Sequence, residues 1–195
     1  MNAIAKPTVV LLSICIIISA SLAFTYALTK DRIAASETEE ANNARAAVFP
    51  GAEFEFIYKM DDGEISKLNE FPAVTELYTA LTPDGAGKTA AGYVATVLTH
   101  GYGGEIEVIV GVRSDGYING VRVSKHSETP GLGANAVNPE FYGQYEGKDA
   151  TNALGVVKAG NSAAENDIVA ISGATVTSGA VTSAVNAAAR AMDTR

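Results

Sequence analysis

The chain has 195 residues, enough for one domain with a substantial core and short for two. Its 14 basic residues stand against 22 acidic ones, a formal net charge of −8 that argues against a nucleic-acid partner and against a basic, membrane-surface-binding face. A single cysteine, Cys15, excludes an intrachain disulfide, and Cys15, His100 and His126 are too few to build a Cys/His metal cluster.

From Pro7 to Leu28 the chain carries no charge and includes Val9-Val10-Leu11-Leu12 and Ile16-Ile17-Ile18. As a helix this run of about 22 residues spans about 33 Å, enough to cross the hydrocarbon core of a bilayer. It reads as an uncleaved single transmembrane anchor over 7–28. The apolar region is long for a signal peptide, no clean Ala-x-Ala site follows it, and Ile14 precedes Cys15 where a lipoprotein needs a small residue. Lys6 lies on one side, with Lys30 and Arg32, offset by Asp31, on the other, so the flanking charges assign no orientation. Residues 29–48 are rich in Ala, Glu, Asn and Arg without Gly or Pro, which predicts a polar connecting helix that Phe49-Pro50-Gly51 ends.

Beyond that boundary, in 49–195, the pattern changes to short alternating runs. Phe54–Tyr58 predicts a half-buried strand, followed by turn chemistry at Asp61-Asp62-Gly63. Val74–Leu81, Gly92–Thr99, Glu105–Arg113 and Tyr117–Lys125 predict four more strands, separated by short turns such as Pro83-Asp84-Gly85 and Ser114-Asp115-Gly116. Short separations imply hairpins and hence an antiparallel meander. Asn135–Tyr145, with Pro139 inside, predicts a short or broken helix, and Leu154–Lys158 another short strand. Gly87-Lys88-Thr89 lacks the first glycine of a phosphate loop, since Thr82 stands five residues before Gly87, and reads as a hairpin tip. The sum is an α+β domain, with an antiparallel sheet first, flanking helices, and the longest soluble helix last.

The last third holds the stretch with most chemistry. Asp167–Ile171 is a short β-branched run, and Val176, Ala180, Val181, Ala184, Val185, Ala188 and Met192 recur at helical spacing. Between them Ser172-Gly173-Ala174-Thr175-Val176-Thr177-Ser178 places four hydroxyls in seven residues. Two readings are open: Thr177 or Ser178 is an ordinary N-cap, or the turn is a phosphate seat facing the unpaired N–H groups and positive dipole end of a helix that begins near Thr177.

Upstream, Glu128-Thr129-Pro130-Gly131-Leu132-Gly133 forms an irregular loop whose backbone can lie close to a ligand. By letters Gly131-x-Gly133-x-x-Ala136 satisfies a dinucleotide fingerprint, but Pro130 intervenes and no parallel strand-turn-helix unit surrounds it. His100 and His126 have no accompanying Ser or Cys nucleophile motif, which disfavours a hydrolase. Tyr142, beside Phe141 and Tyr145, is a candidate cover for an aromatic ligand ring, against the alternative of plain packing.

Ser172-Gly173-Ala174-Thr175 with Asp167 ahead, the segment Glu128–Gly133 with His126 just before it, and Gly101-Tyr102-Gly103-Gly104 occur in an order that resembles the FMN-binding domain family over roughly Phe49–Met192. The chain is most similar to the G subunit of the Rnf electron-transport complex, a relative of the C subunit of the sodium-pumping NADH:quinone reductase. The resemblance implies an FMN-binding domain whose FMN is bound covalently, as a phosphoester, to Thr175. It also implies that Glu128, Thr129, Gly131, Leu132 and Gly133 face the isoalloxazine and ribityl parts, with Ser172, Gly173, Ala174 and Thr177 around the attachment point. No metal and no catalytic side chain of its own is implied. The function implied is electron transfer in an ion-translocating ferredoxin:NAD oxidoreductase, with other membrane subunits as partners and a flavin transferase for maturation. It further implies residues 1–6 in the cytoplasm and 49–195 on the extracytoplasmic side. The alternatives are a flavoprotein like the C subunit of the quinone reductase and an anchored extracytoplasmic FMN-binding regulatory module without electron transfer.

Overall fold

The structure, a computed structural model, describes residues 2–65, 70–85, 87–161 and 164–193. It divides into two compact units, Met1–Ala41 and Asn42–Arg195.

Helix α1, Asn2–Val48, contains an apolar stretch, Lys6–Lys30, of 25 residues, in which 18 consecutive residues reach a mean hydropathy of 2.4, which suffices to cross a membrane. Four hydroxyls within it are satisfied internally. Ser13, Ser21, Thr25 and Thr29 donate to the carbonyls of Val9, Ile17, Ser21 and Thr25 at 2.8, 2.8, 2.9 and 3.0 Å, so none asks for an outside partner. No residue in 29–48 breaks the helix, because neither Gly nor Pro occurs there.

The second unit takes in the last two turns or so of α1. Val48 and Phe49 are 0% and 6% exposed and pack with Ala80, Val94 and Ile109 on one face of the sheet. Gly111 and Gly120, paired across neighbouring strands, leave room there: a Cβ at Gly120 would lie 3.1 Å from Val48 Cα. The folded body therefore begins at Asn42, ahead of the boundary at 49 that the change in composition marks.

Strands β1 (Glu53–Lys59), β2 (Ala73–Pro83), β3 (Lys88–His100), β4 (Glu105–Arg113) and β5 (Ile118–His126) form one sheet in sequence order, all neighbours antiparallel. The expected meander is present. Asp62–Ile65, expected as a bare turn, is a single helical turn, α2. It is held by a capping box in which the Glu64 N–H donates to Asp61 Oδ1 at 2.8 Å and the Asp61 N–H to Glu64 Oε2 at 2.9 Å.

After β5 the broken helix resolves into a 3-10 turn at Gly133–Val137, α3 (Pro139–Tyr142), and a second 3-10 turn at Gly143–Tyr145. Strands β6 (Gly155–Val157) and β7 (Asp167–Val169) make a separate, parallel pair. This departs from the antiparallel pattern of the five-stranded sheet, and a parallel pair cannot be closed by a tight hairpin turn.

Helix α4, Thr175–Asp193, closes the body. Its Val181, Ala184, Val185 and Ala188, all 0% exposed, join Val97, Val108 and Val110 of the sheet in the main core. Two polar contacts fix its register. The Tyr145 hydroxyl lies 2.8 Å from Thr182 Oγ1, and the Asn186 amide accepts from Leu154 N–H at 2.9 Å and donates to its carbonyl at 3.0 Å.

Candidate functional site

The turn between β3 and β4, the loop after β5, and the turn between β7 and α4 converge around a cleft of about 470 Å³. Its lining brings together Glu128, Thr129, Leu132, Gly133, Gly173, Ala174, Thr175 and Thr177 from the sequence-derived set. Tyr102 and Val176 complete it.

The β7–α4 turn is built from short-range bonds. Within it the Ala174 N–H donates to the Ile171 carbonyl at 2.9 Å, whereas Asp167, at the opposite end of β7, accepts from the Ala164 N–H through Oδ2 at 2.8 Å. Ser178 Oγ donates to the Ala174 carbonyl at 2.9 Å and accepts the Ile171 N–H at 3.0 Å, stapling the strand exit to the first helical turn. Helix α4 thus begins at Thr175, earlier than the start near Thr177 that its apolar spacing marks, and neither Thr177 nor Ser178 is its N-cap. The residue before the helix is Ala174, whose side chain has nothing to donate or accept. The N–H groups of Thr175, Val176 and Thr177 occupy the positions that have no intrahelical acceptor, at the positive end of the dipole.

The hydroxyls of the stretch divide sharply by exposure. Thr177 and Ser178 are 1% and 0% exposed, whereas Ser172 and Thr175 are exposed. Of these four, only Thr175 is both exposed and on the cleft.

Glu128 forms the floor of the cleft and is 7% exposed. Its Oε1 accepts the Gly103 N–H at 2.9 Å and its Oε2 accepts the Thr177 hydroxyl at 2.8 Å. Its own N–H donates to His126 Nδ1 at 3.2 Å, which requires that nitrogen to be the unprotonated one.

Three expected site residues lie off the cleft wall. Gly131 sits at the loop crest with φ +78° and open space where a Cβ would stand. Ser172 faces solvent beside the turn. Tyr142 stacks on Arg122, whose guanidinium carbon is 4.0 Å from the ring centre, because the Pro139–Tyr142 turn packs toward β5. The sequence reading left two lining residues out of the site. Tyr102 and Val176 are 80% and 57% exposed, and in Gly101-Tyr102-Gly103-Gly104 the only side chain at the loop tip is the tyrosine. That isolation of one aromatic among glycines is the signal that could have found it.

An aromatic and aliphatic wall beside an uncapped helix N-terminus suits a flat ring carrying a phosphate, so the residues present fit FMN. No group of three or more His, Cys, Asp or Glu side chains that could hold a metal ion occurs among the described residues.

Comparison with known proteins agrees with this geometry. Residues 101–190 match the family model of the FMN-binding domain, and residues 1–48 that of the RnfG N-terminal region. The chain is similar to the G subunit of the Na(+)-translocating ferredoxin:NAD(+) oxidoreductase complex of Acetobacterium woodii, with 35% identity over 182 residues covering 93% of this chain and 87% of that one. It is 33% identical over 190 residues to the G subunit of the ion-translocating oxidoreductase complex of Methanosarcina acetivorans, covering 95% and 92%. Among solved structures, the C subunit of the Na(+)-translocating NADH-quinone reductase of Parabacteroides distasonis shares the fold. It has a TM-score of 0.56 and 21% identity, over 81% of this chain and 93% of that one.

Proposed function

We propose a function from one premise: the chain belongs to the family of G subunits of ion-translocating Rnf oxidoreductase complexes, and its body is an FMN-binding domain. It is a membrane-anchored electron-transfer subunit that works among the other subunits of such a complex. Bound FMN supplies the redox chemistry, and the protein supplies the seat, the orientation and the electrostatic surroundings.

We further infer that FMN is held as a phosphoester on Thr175 Oγ1, formed by a flavin transferase from a flavin dinucleotide: the hydroxyl oxygen bonds to the FMN phosphorus, the pyrophosphate P–O bond breaks, the nucleoside monophosphate half leaves, and the hydroxyl proton is lost. The carrying observation is that Thr175 alone among the four hydroxyls of Ser172–Ser178 is exposed and lines the cleft. A phosphate on that oxygen lies beside the free N–H groups of the first turn of α4, which favour an anion. Tyr102, Leu132 and Val176 offer an apolar wall to the ring, and Thr129 a hydroxyl at its edge. Thr177 and Ser178 are closed to a transferase by burial.

The test is co-expression with a flavin transferase followed by intact and tandem mass spectrometry. Thr175→Ala should lose the whole mass of the FMN adduct and its in-gel fluorescence, while Thr177→Ala keeps the adduct. An adduct mapped to Ser172, Thr177 or Ser178 overturns the assignment. The substitution removes an exposed hydroxyl and should cost well under about 1 kcal/mol, so misfolding does not confound it.

A further inference from the structure

Glu128 is an acid buried to 7% exposure, and it makes no ion pair among the described residues. Burying a carboxylate without a cation is costly, so its two hydrogen bonds must hold something the fold needs. They reach two different elements: the Gly103 N–H in the β3–β4 turn and the Thr177 hydroxyl in the first turn of α4. Glu128 itself belongs to the loop after β5, so one side chain joins all three segments that line the cleft.

The surrounding glycines are shaped to this carboxylate. A Cβ on Gly101 would stand 2.1 Å from Glu128 Oε1, and one on Gly133 would stand 2.2 Å from Oε2 and 2.7 Å from Thr177 Oγ1. A Cβ on Gly103 would meet the Ser127 carbonyl at 2.4 Å. Their backbones close on the acid from either side, which is why the cleft floor tolerates no side chain at those positions.

We propose that Glu128 is a positioning residue, whose carboxylate brackets the Gly101–Gly104 turn to the start of α4 and thereby holds Tyr102 against the flavin side of the cleft. This rests on the reading of the cleft as the FMN seat. Attachment at Thr175 does not pass through the bracket; the seating of the ring does. The bracket needs an acceptor for Gly103 and a partner for Thr177, and a glutamine supplies both, accepting with its oxygen and donating with its nitrogen to the Thr177 oxygen.

The experiment uses the full chain, with and without transferase co-expression. Amide exchange at Gly103 is measured in the unmodified chain, and iodide quenching of flavin fluorescence in the modified one. Glu128→Ala and Thr177→Val should speed exchange at Gly103 about tenfold or more, as loss of an acceptor or of its anchor requires. Both should raise flavin quenching while the adduct mass on Thr175 remains. Glu128→Gln and Thr177→Ser should restore Gly103 protection and low quenching relative to those variants. Unchanged Gly103 exchange in both Glu128→Ala and Thr177→Val overturns the bracket, and so does a Glu128→Gln variant as loose as Glu128→Ala. A wild-type chain that takes no flavin while Gly103 is protected through Glu128 overturns the FMN reading instead, which separates the two failures.

Discussion

Gly131 and Gly133 stand two residues apart in one loop and serve different ends. Gly131 has φ +78° with nothing near its absent Cβ, so its requirement is conformational. Gly131→Ala should cost about 1 kcal/mol or somewhat more in stability, read from a denaturation midpoint, and leave flavin quenching unchanged. Gly133 is a packing requirement, since its Cβ would strike the Glu128 carboxylate and Thr177 Oγ1. Gly133→Ala should loosen the cleft and raise iodide quenching of the attached flavin. Equal quenching in the two variants would contradict this division. The sequence marks both glycines as members of a ligand-facing loop, but their difference depends on a glutamate and a threonine from elsewhere in the chain.

At the scale of elements, the last turns of α1 are tied to β1 and β2 by charge as well as by packing. Arg45 and Lys59 both pair with Glu76, Lys59 at 2.8 Å, and the Arg45 guanidinium lies 4.3 Å from the Tyr78 ring centre. Burial pushes the Glu76 carboxyl up. The Lys59 hydrogen bond and the charges of Arg45 and Lys59 together outweigh it and hold it below its ordinary 4.5. A lowered folded pKa means stability that is fully present above about pH 4.5 and is lost as pH falls through the lower folded value. Glu76→Gln should therefore flatten the acid limb of a stability-against-pH curve and leave its neutral slope alone; an unchanged acid limb would rule out this pairing as its source. The meander strands were readable because alternation and turn residues are local. The parallel β6–β7 pair was not, since which short strand lies beside which depends on where the intervening chain returns.

For the whole molecule, the body should fold alone if it keeps the end of α1. A chain starting at Asn42 should unfold cooperatively, whereas one starting at Pro50 lacks Val48 and Phe49, each buried, and should lose about 3 to 6 kcal/mol. Comparable midpoints for the two would show that α1 contributes nothing to the body. The side of the membrane is tested separately. The resemblance implies an extracytoplasmic body, so a reporter active only in the cytoplasm, fused after Arg195, which lies outside the described residues, should be silent, and strong activity would overturn that side. The sequence by itself determined the apolar span, the order of the antiparallel strands and the hydroxyl-rich Ser-Gly-Ala-Thr stretch where the last helix starts, because each is written in residues adjacent along the chain. Only the tertiary structure decided that Thr177 and Ser178 turn inward while Thr175 stays out, that Tyr142 goes to Arg122 and Tyr102 to the cleft, and that Val48 belongs to the body. Exposure and partner choice are set by segments far apart in sequence: Glu128 draws in Thr177 across 49 residues, a pairing that no local pattern encodes.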